Sequence, residues 1–290
     1  MDYIDQPLIR GDLRRRLGRE YYILRRKVED LASGTRWARL SPPQEQLYPL
    51  MEHHSLILRP LKDVDMYLQE NKRTNLRLAI AHLDGMRICP GETCSVWRSV
   101  GRTSRAKGYL EGLVLHQGQI RKGIGGGLCQ LGNLLFWLVA HSPLTITERH
   151  RHTFDVFPDV HRSVPFGAGA TLSYNYIDFR FRNDTDQPFY LELWMDDTYL
   201  WGRLSTEGEH LCRYRVEERD HRVVQQMWGG YTRHNRIVRI TTYPDGMERE
   251  QLLVENHAIM MYSPILSPPY GVEVPTTSAG TEMGEPGGVH

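Results

Sequence analysis

The stretch GIGGGLCQLGNLLFWLVA, residues 123–140, determines the fold of this chain. Nearly every residue from Leu128 to Ala140 is apolar or small, so the segment has no solvated face and is predicted to be a buried helix. It is shorter than the roughly 20 residues that a transmembrane helix needs. The sequence therefore predicts a central core helix that begins directly after a glycine-rich turn.

Cys129 lies in the first turn of this predicted helix. Unpaired backbone N–H groups and the positive end of the helix dipole favour a thiolate at that position, which predicts a nucleophilic thiol. Gly126 and Gly127 would let backbone N–H groups approach an oxyanion that forms during attack. The alternative is that Cys129 fills a small space in the core and that the glycines only permit tight packing.

A base for this thiol is not found on the same helix. His141 is about 18 Å from Cys129 along the helix and about 120° around it, so it is predicted only to lie near the last carbonyl groups. The segment from Leu144 to His152 is predicted to be a strand, in which Glu148, His150 and His152 share one face. One of the two histidines is hypothesised to act as the base, with a carboxylate orienting its ring. The carboxylate candidates are Glu148, Asp155, Asp159 and Asp178.

The same residues also suggest two other kinds of site. Glu148, His150 and His152, joined by Cys129, would make a plausible zinc or iron site, but the usual zinc motifs are absent. Metal binding therefore ranks below thiol chemistry, and we expect neither a metal nor a cofactor. The glycine-rich turn also lacks the lysine and the serine or threonine of a phosphate-binding loop.

The first thirty residues carry most of the charge asymmetry of the chain. The protein has 290 residues and a formal net charge of only +1, with 40% hydrophobic and 24% charged residues, which is typical of a globular protein. Its amino-terminal segment is strongly basic, which indicates either a solvated helix face or attachment to an anionic lipid surface. A sequence pI near 7.8 gives little support for nucleic-acid binding, and none is expected. The basic residues are Arg10, Arg14, Arg15, Arg16, Arg19, Arg25, Arg26 and Lys27.

The start of the sequence bears on location, and the cysteine count bears on disulfide bonding. The segment Met1 to Pro7 has no apolar core of a signal peptide, so we expect a cytoplasmic protein, peripheral to the inner membrane face if the basic segment binds lipid. Four cysteines do not make a disulfide framework, and Cys89 and Cys94 are expected to be unpaired thiols.

Several motifs, in order along the chain, resemble the VanW family. They include Pro90 to Thr93, the Gly123 to Gln130 run, Glu148-Arg149-His150 and Asp178 to Asp186. The resemblance implies an association with glycopeptide resistance and the bacterial cell envelope, and it carries over no established activity. Its motif positions in this chain are Gly125, Gly126, Gly127, Cys129, Gln130, Glu148, Arg149, His150 and His152. One departure is Gly132, where relatives commonly carry serine.

These observations give a fold class and two hypotheses of function. We predict an α+β fold in which amino-terminal helices and the central buried helix pack on a mostly antiparallel sheet. The first hypothesis is a thiol acyltransferase or hydrolase with Cys129, His150, His152 and Glu148 as catalytic residues, acting on a peptidoglycan precursor or related peptide. Substrate would be bound by Gly125, Gly126, Gly127, Gln130 and Arg149. The second is a binding or assembly protein in which both motifs are structural.

The domain prediction follows from the same patterns. Residues 1–62 are assigned to a basic helical amino-terminal region and 63–205 to a core domain that resembles the VanW family. Residues 206–267 are assigned to a carboxyl-terminal β extension. The proline- and glycine-rich residues 268–290 are predicted to be a disordered tail.

Overall fold

The computed structural model describes residues 11–42, 44, 46–58, 65–116, 119–156, 164–174 and 177–264. The chain has the predicted α+β fold, and nearly all of its strand pairs are antiparallel. The predicted tail lies outside the described residues. Within the described ranges, no helix combines the length and the hydropathy that spanning a bilayer requires.

Four α-helices are present in the described residues, and the last of them is the predicted core helix. They are α1 (Asp12–Ala32), α2 (Met66–Ile80), α3 (Val96–Val100) and α4 (Cys129–Ala140). The α4 helix packs against strands of the largest sheet, and Leu131, Leu135 and Phe136 have no exposed surface. Burial on nearly all sides follows from its almost continuously apolar sequence.

The strands form four sheets in the described part of the chain. The largest has the order β1-β3-β10-β11-β2, the second β12-β13-β14-β8, the third β4-β9-β7, and β5 pairs with β6. Their bounds are β1 (Arg39–Leu40), β2 (Tyr48–Leu56), β3 (Met86–Ile88), β4 (Thr93–Ser95), β5 (Glu111–His116), β6 (Gln119–Ile124), β7 (Thr145–Glu148), β8 (Phe154–Asp155), β9 (Arg180–Arg182), β10 (Phe189–Met195), β11 (Tyr199–Thr206), β12 (Arg213–Gln225), β13 (Tyr231–Thr242) and β14 (Glu248–Met260).

The sheets of the described residues cross both predicted boundaries of the core domain. Strands β1 and β2, from the region predicted to be helical, pair with β3 and β11 of the predicted core domain. Strands β12 to β14, from the predicted extension, share a sheet with β8 of the predicted core domain. The domain boundaries themselves stay predictions.

The predicted strand from Leu144 to His152 is shorter than expected. Strand β7 ends at Glu148, with a bulge after Ile146, and the next four residues leave the sheet. They leave because their polar groups bond to another segment, residues 166–172. The Thr171 N–H donates to the His150 carbonyl at 2.8 Å, and Arg149 donates to the Gly169 carbonyl at 2.8 Å.

Candidate functional site

Cys129 meets His152 at the start of α4. The Cys129 Sγ atom lies 3.7 Å from Nε2 of His152 and 3.7 Å from the Leu172 carbonyl oxygen. Both distances are within hydrogen-bond range for sulfur, and both side chains are half-buried. Of the two histidines predicted as partners, the structure therefore brings His152 to the thiol.

Burial keeps this pair neutral. It raises the pKa of the Cys129 thiol, and the backbone N–H of Cys129 opposes that effect only in part. Burial also lowers the pKa of His152, with a smaller effect in the same direction from Arg151. The expectation that the helix start lowers the thiol pKa is therefore wrong, because loss of water outweighs the stabilisation that the helix end provides.

The glycine-rich turn uses its N–H groups inside the fold. Gly125 donates to the Leu110 carbonyl at 2.9 Å, Gly126 to Gly123 at 3.1 Å, and Gly127 to Leu113 at 2.9 Å. An oxyanion would have to displace these bonds, so the predicted oxyanion role of Gly126 and Gly127 does not fit the observed geometry.

Close packing explains the glycine at position 126. An added Cβ atom there would lie 2.2 Å from the backbone carbon of Gly112 in β5. In addition, the Asn75 side chain of α2 donates to the Gly126 carbonyl at 2.9 Å. The turn thus packs between β5 and α2, and this packing fixes the position of the first residue of α4.

Gln130 is bound to the neighbouring strand. Its side-chain nitrogen donates to the Ser55 hydroxyl at 2.8 Å and to the Leu56 carbonyl at 2.9 Å. These bonds hold the first turn of α4 against β2. The Gln130 amide, which was predicted to bind substrate, therefore has a structural role.

Arg149 is also engaged within the fold. Its guanidinium donates to the Gly167 carbonyl at 2.6 Å and to the Asn256 side chain at 2.9 Å, in addition to Gly169. Burial lowers its pKa to about 10. The contacts make Arg149 a link between the 166–172 segment and β14, rather than a group facing a substrate.

Glu148 and His150 form a second cluster with α1. Arg26 donates two hydrogen bonds to the Glu148 carboxylate, at 2.6 and 2.7 Å, and His150 Nε2 lies 3.0 Å from the same carboxylate. Burial opposes ionisation of Glu148, but the hydrogen bonds and charge of Arg26, together with His150 and Arg180, outweigh it and lower the pKa of the carboxyl. Glu148 therefore orients His150, and among the described residues no carboxylate contacts His152.

Arg180 extends this cluster. Its guanidinium binds both oxygens of Asp30, at 2.7 and 2.9 Å, and Asp178 at 2.9 Å. Asp178 has no exposed surface, and it also accepts hydrogen bonds from Ser95 Oγ at 2.5 Å and the Trp97 N–H at 3.1 Å. Sequence reasoning missed this network, although Arg26 and Asp30 share a helix face at four-residue spacing.

The 166–172 segment crosses α4 at Gly132. A Cβ atom on Gly132 would lie 2.6 Å from the Ala170 carbonyl oxygen, and the Asn133 side chain accepts the Ala170 N–H at 3.1 Å. This approach brings the Leu172 carbonyl to Cys129. The sequence signal for it was Gly132 itself, where the Cβ atom of any other residue would meet this segment.

The remaining predicted residues fall elsewhere. Asp155 accepts a hydrogen bond from the Tyr262 hydroxyl at 2.9 Å, and Asp159 lies outside the described residues. His141 Nδ1 lies 3.0 Å from the Trp137 carbonyl, as predicted for a helix-end histidine. In the part of the chain that is described, all four cysteines are free, and no three histidine, cysteine or acidic side chains are placed to hold a metal ion.

A separate cleft lies on the carboxyl-terminal sheet. It has a volume of about 390 Å³ and is lined by Tyr214, Arg239, Tyr243 and Glu250, among others. Neither Cys129 nor His152 lines it. Its central cation is engaged within the fold, since Arg239 donates to the Gln251 side chain at 2.6 Å and to the Leu144 carbonyl at 3.2 Å. We therefore keep the Cys129–His152 pair as the candidate site.

Comparison with known proteins places this site inside a described family. Residues 71–205 match the model of a family described as VanW like protein. The Vancomycin B-type resistance protein VanW of Enterococcus faecalis (strain ATCC 700802 / V583) is 35% identical over 184 residues, covering 63% of this chain and 67% of that protein. The uncharacterized protein YoaR of Bacillus subtilis (strain 168) is 30% identical over 160 residues, covering 52% of this chain and 50% of that protein. No solved structure matches the chain.

Proposed function

This chain belongs to the VanW family, and on that premise we propose that Cys129 and His152 are the nucleophile and the base of a thiol-dependent acyltransferase or hydrolase. The observation that carries the proposal is the 3.7 Å contact between Cys129 Sγ and His152 Nε2 in a half-buried site. A base within reach of a thiol is the arrangement that nucleophilic cysteine enzymes use.

The electrostatics favour general-base activation over a preformed ion pair. Because burial raises the pKa of Cys129 and lowers that of His152, both groups are neutral before substrate binds. As sulfur attacks the acyl carbon, the thiol proton passes to His152 Nε2 and then to the departing amine or alkoxide. This leaves a thioester on Cys129. Water or an acceptor amine attacks the thioester, which releases the acyl group and restores the thiol.

For the substrate we propose a peptide related to peptidoglycan, and for the biological role a link to glycopeptide resistance. The support is the name of the Enterococcus faecalis relative, which describes a vancomycin resistance protein. We further propose that the protein works in the cytoplasm, where such precursors are accessible at the inner face of the membrane.

The test is turnover of a synthetic peptide that ends in two D-amino acids, followed by mass spectrometry. We expect product from the unmodified protein and a covalent acyl adduct on Cys129. The Cys129→Ala variant should lose at least about 1,000-fold in rate and His152→Gln about 100-fold or more. Cys212→Ser, at another half-buried cysteine, is the matched control and should keep full rate.

A second candidate function is a binding or assembly role without catalysis. The observation in its favour is that the glycine N–H groups, Gln130 and Arg149 are all engaged in bonds within the fold. Under this alternative, Cys129→Ala folds normally and retains any resistance-linked phenotype. Equal peptide turnover by the unmodified protein and Cys129→Ala would likewise reject the proposal that Cys129 is a catalytic nucleophile.

A further inference from the structure

Among the described contacts, helix α1 is attached to the rest of the molecule mainly by one face. Arg26 binds Glu148 and Asp30 binds Arg180, while Glu20, at the margin of this face, pairs with Arg102. Ile23, on the same side, is buried. This docked face fixes the direction in which the opposite face of the helix points.

The opposite face is an exposed apolar stripe. At about 100° per residue its members fall within an arc of about 80°, whose centre is about 120–180° around the helix from Arg26, Asp30 and Ile23, while Glu20 lies about 20° from its edge. Their exposure is high, reaching 72% at Leu13 and 80% at Leu31. A contiguous apolar surface that is exposed to solvent indicates an interaction site. The stripe consists of Leu13, Leu17, Tyr21, Leu24, Val28 and Leu31.

Cationic side chains border the stripe on both sides. Arg14 lies along one edge, next to the Arg25–Glu29 pair, and Arg16 and Lys27 lie about 40–60° beyond the other edge by the same helical geometry. The acidic residues of α1 are largely neutralised within the protein, since Glu20 and Asp30 bind arginines of the core and Glu29 binds Arg25. Over its whole length, α1 has seven arginine and lysine residues against four acidic ones.

This combination selects one partner. We propose that α1 lies in the surface of an anionic lipid bilayer, with the apolar stripe among the acyl chains and the bordering cations on the headgroups. Amphipathic helices that bind membranes in this way have the same two features. A second copy of the chain fits less well, because in a symmetric helix pair the cationic borders would face each other.

The arrangement also positions the candidate site. Because Arg26 and Asp30 connect α1 to the segment around Glu148, lipid binding through the stripe holds that segment next to the membrane without covering it. Residues 71–205, which match the family model, do not include α1. Membrane attachment is thus a property of this chain outside the family core.

Vesicle sedimentation with the full chain tests the proposal. We expect the protein to bind vesicles that contain phosphatidylglycerol at least tenfold more strongly than vesicles of phosphatidylcholine alone, and to lose binding at high salt. The variant Leu17→Gln/Leu24→Gln/Leu31→Gln should lose at least tenfold in binding. Arg14→Gln/Arg16→Gln/Lys27→Gln should lose about fivefold per residue on the anionic vesicles.

Matched controls separate the stripe from general effects. Leu211→Gln/Leu252→Gln removes two exposed leucines outside α1 and should leave binding unchanged. Thermal melts should show that all variants remain folded, since the altered side chains are exposed. Cys129→Ala should bind vesicles as the unmodified protein does, so that failure of the catalytic proposal is distinguishable from failure of this one.

Two outcomes would overturn the proposal. One is equal sedimentation of the unmodified protein and the triple leucine variant with anionic vesicles. The other is a dimer in sedimentation velocity that the triple leucine variant dissociates, without vesicle binding by either protein. The second result would assign the stripe to a second copy of this chain.

Discussion

Arg26 and Glu148 are 122 positions apart in the sequence and are joined by two hydrogen bonds of 2.6 and 2.7 Å. Their side chains keep only 19% and 16% of their exposure. The pair fastens α1 to the end of β7, directly before the segment that carries His152. Together with the Asp30–Arg180 pair, this ion pair therefore holds α1 against the strands next to the candidate site.

Removing this arginine should destabilise the protein. Arg26→Gln leaves the Glu148 carboxylate half-buried without its main partner, so we expect a loss of about 1–3 kcal/mol in the free energy of unfolding at pH 7. Because Arg26 lowers the pKa of Glu148, its stabilisation is present above the unfolded pKa and is lost as the pH falls through the folded one. Denaturant unfolding at several pH values measures both effects. Arg25→Gln, at the exposed Arg25–Glu29 pair, is the control and should cost no more than about 1 kcal/mol.

A side chain at position 132 should disturb both the packing and the site. Gly132→Ser places a Cβ atom where the Ala170 carbonyl oxygen would be 2.6 Å away, so we expect a loss of about 1–3 kcal/mol and a weaker Cys129–Leu172 contact. Gly18→Ala is the control, since nothing lies within 4 Å of its Cβ position and alanine is the better helix former. It should be neutral or stabilising by up to about 1 kcal/mol. Equal melting temperatures of unmodified protein and Gly132→Ser would show that the segment is free to move away.

The reactivity of Cys129 should depend on pH and on His152. Because burial raises its pKa, iodoacetamide labelling followed by peptide mass spectrometry should give a midpoint above the ordinary cysteine value of about 8.5. A midpoint below that value would show a preformed thiolate. At neutral pH, His152→Gln should slow the labelling, since the base that accepts the thiol proton is gone. An unchanged rate in this variant would remove the main support for a catalytic pair.

His53 should make the protein sensitive to mild acid. Burial, with smaller contributions from His54 and His141, lowers the pKa of His53 to about 4. The unfolded chain therefore binds a proton from about pH 6.5 downward while the folded chain does not, and stability falls between those two values. After allowance for the partial exposure of His53, we expect this residue to lower the free energy of unfolding by about 1–2 kcal/mol over that pH range. Chemical denaturation from pH 7 to 4 should show a smaller loss in His53→Gln, and identical curves would contradict the assignment.

Sequence patterns predicted the central helix, whose character depends on its own residues. The apolar run from Leu128 to Ala140 predicted α4 to within one residue. Ser95 is both the last residue of β4 and the cap of α3, since its hydroxyl accepts the Arg98 N–H at 3.1 Å. A short window of sequence does not distinguish the end of a strand from the start of a helix.

The Cys129–His152 pair was predicted in part, but from the wrong premise that the strand extends to His152. His152 was placed on a strand face with His150, whereas the chain leaves β7 at Glu148 and His152 reaches Cys129 from an irregular segment. What redirects the chain is a set of bonds to residues 167–171, which no local periodicity encodes. The partner of Glu148 was beyond sequence reasoning for the same reason, since α1 is distant along the chain.

The carbonyl of Leu172 over the sulfur of Cys129 gives the protein a built-in reporter. The sulfur is half-buried and contacts both His152 and Leu172, so movement of the 166–172 segment away from α4 changes how readily a thiol reagent reaches it. At a fixed pH, a change in the reaction rate under native conditions therefore reports movement of that segment, without an attached dye or an engineered label. A ligand that binds across the segment would reveal itself as protection of a single cysteine.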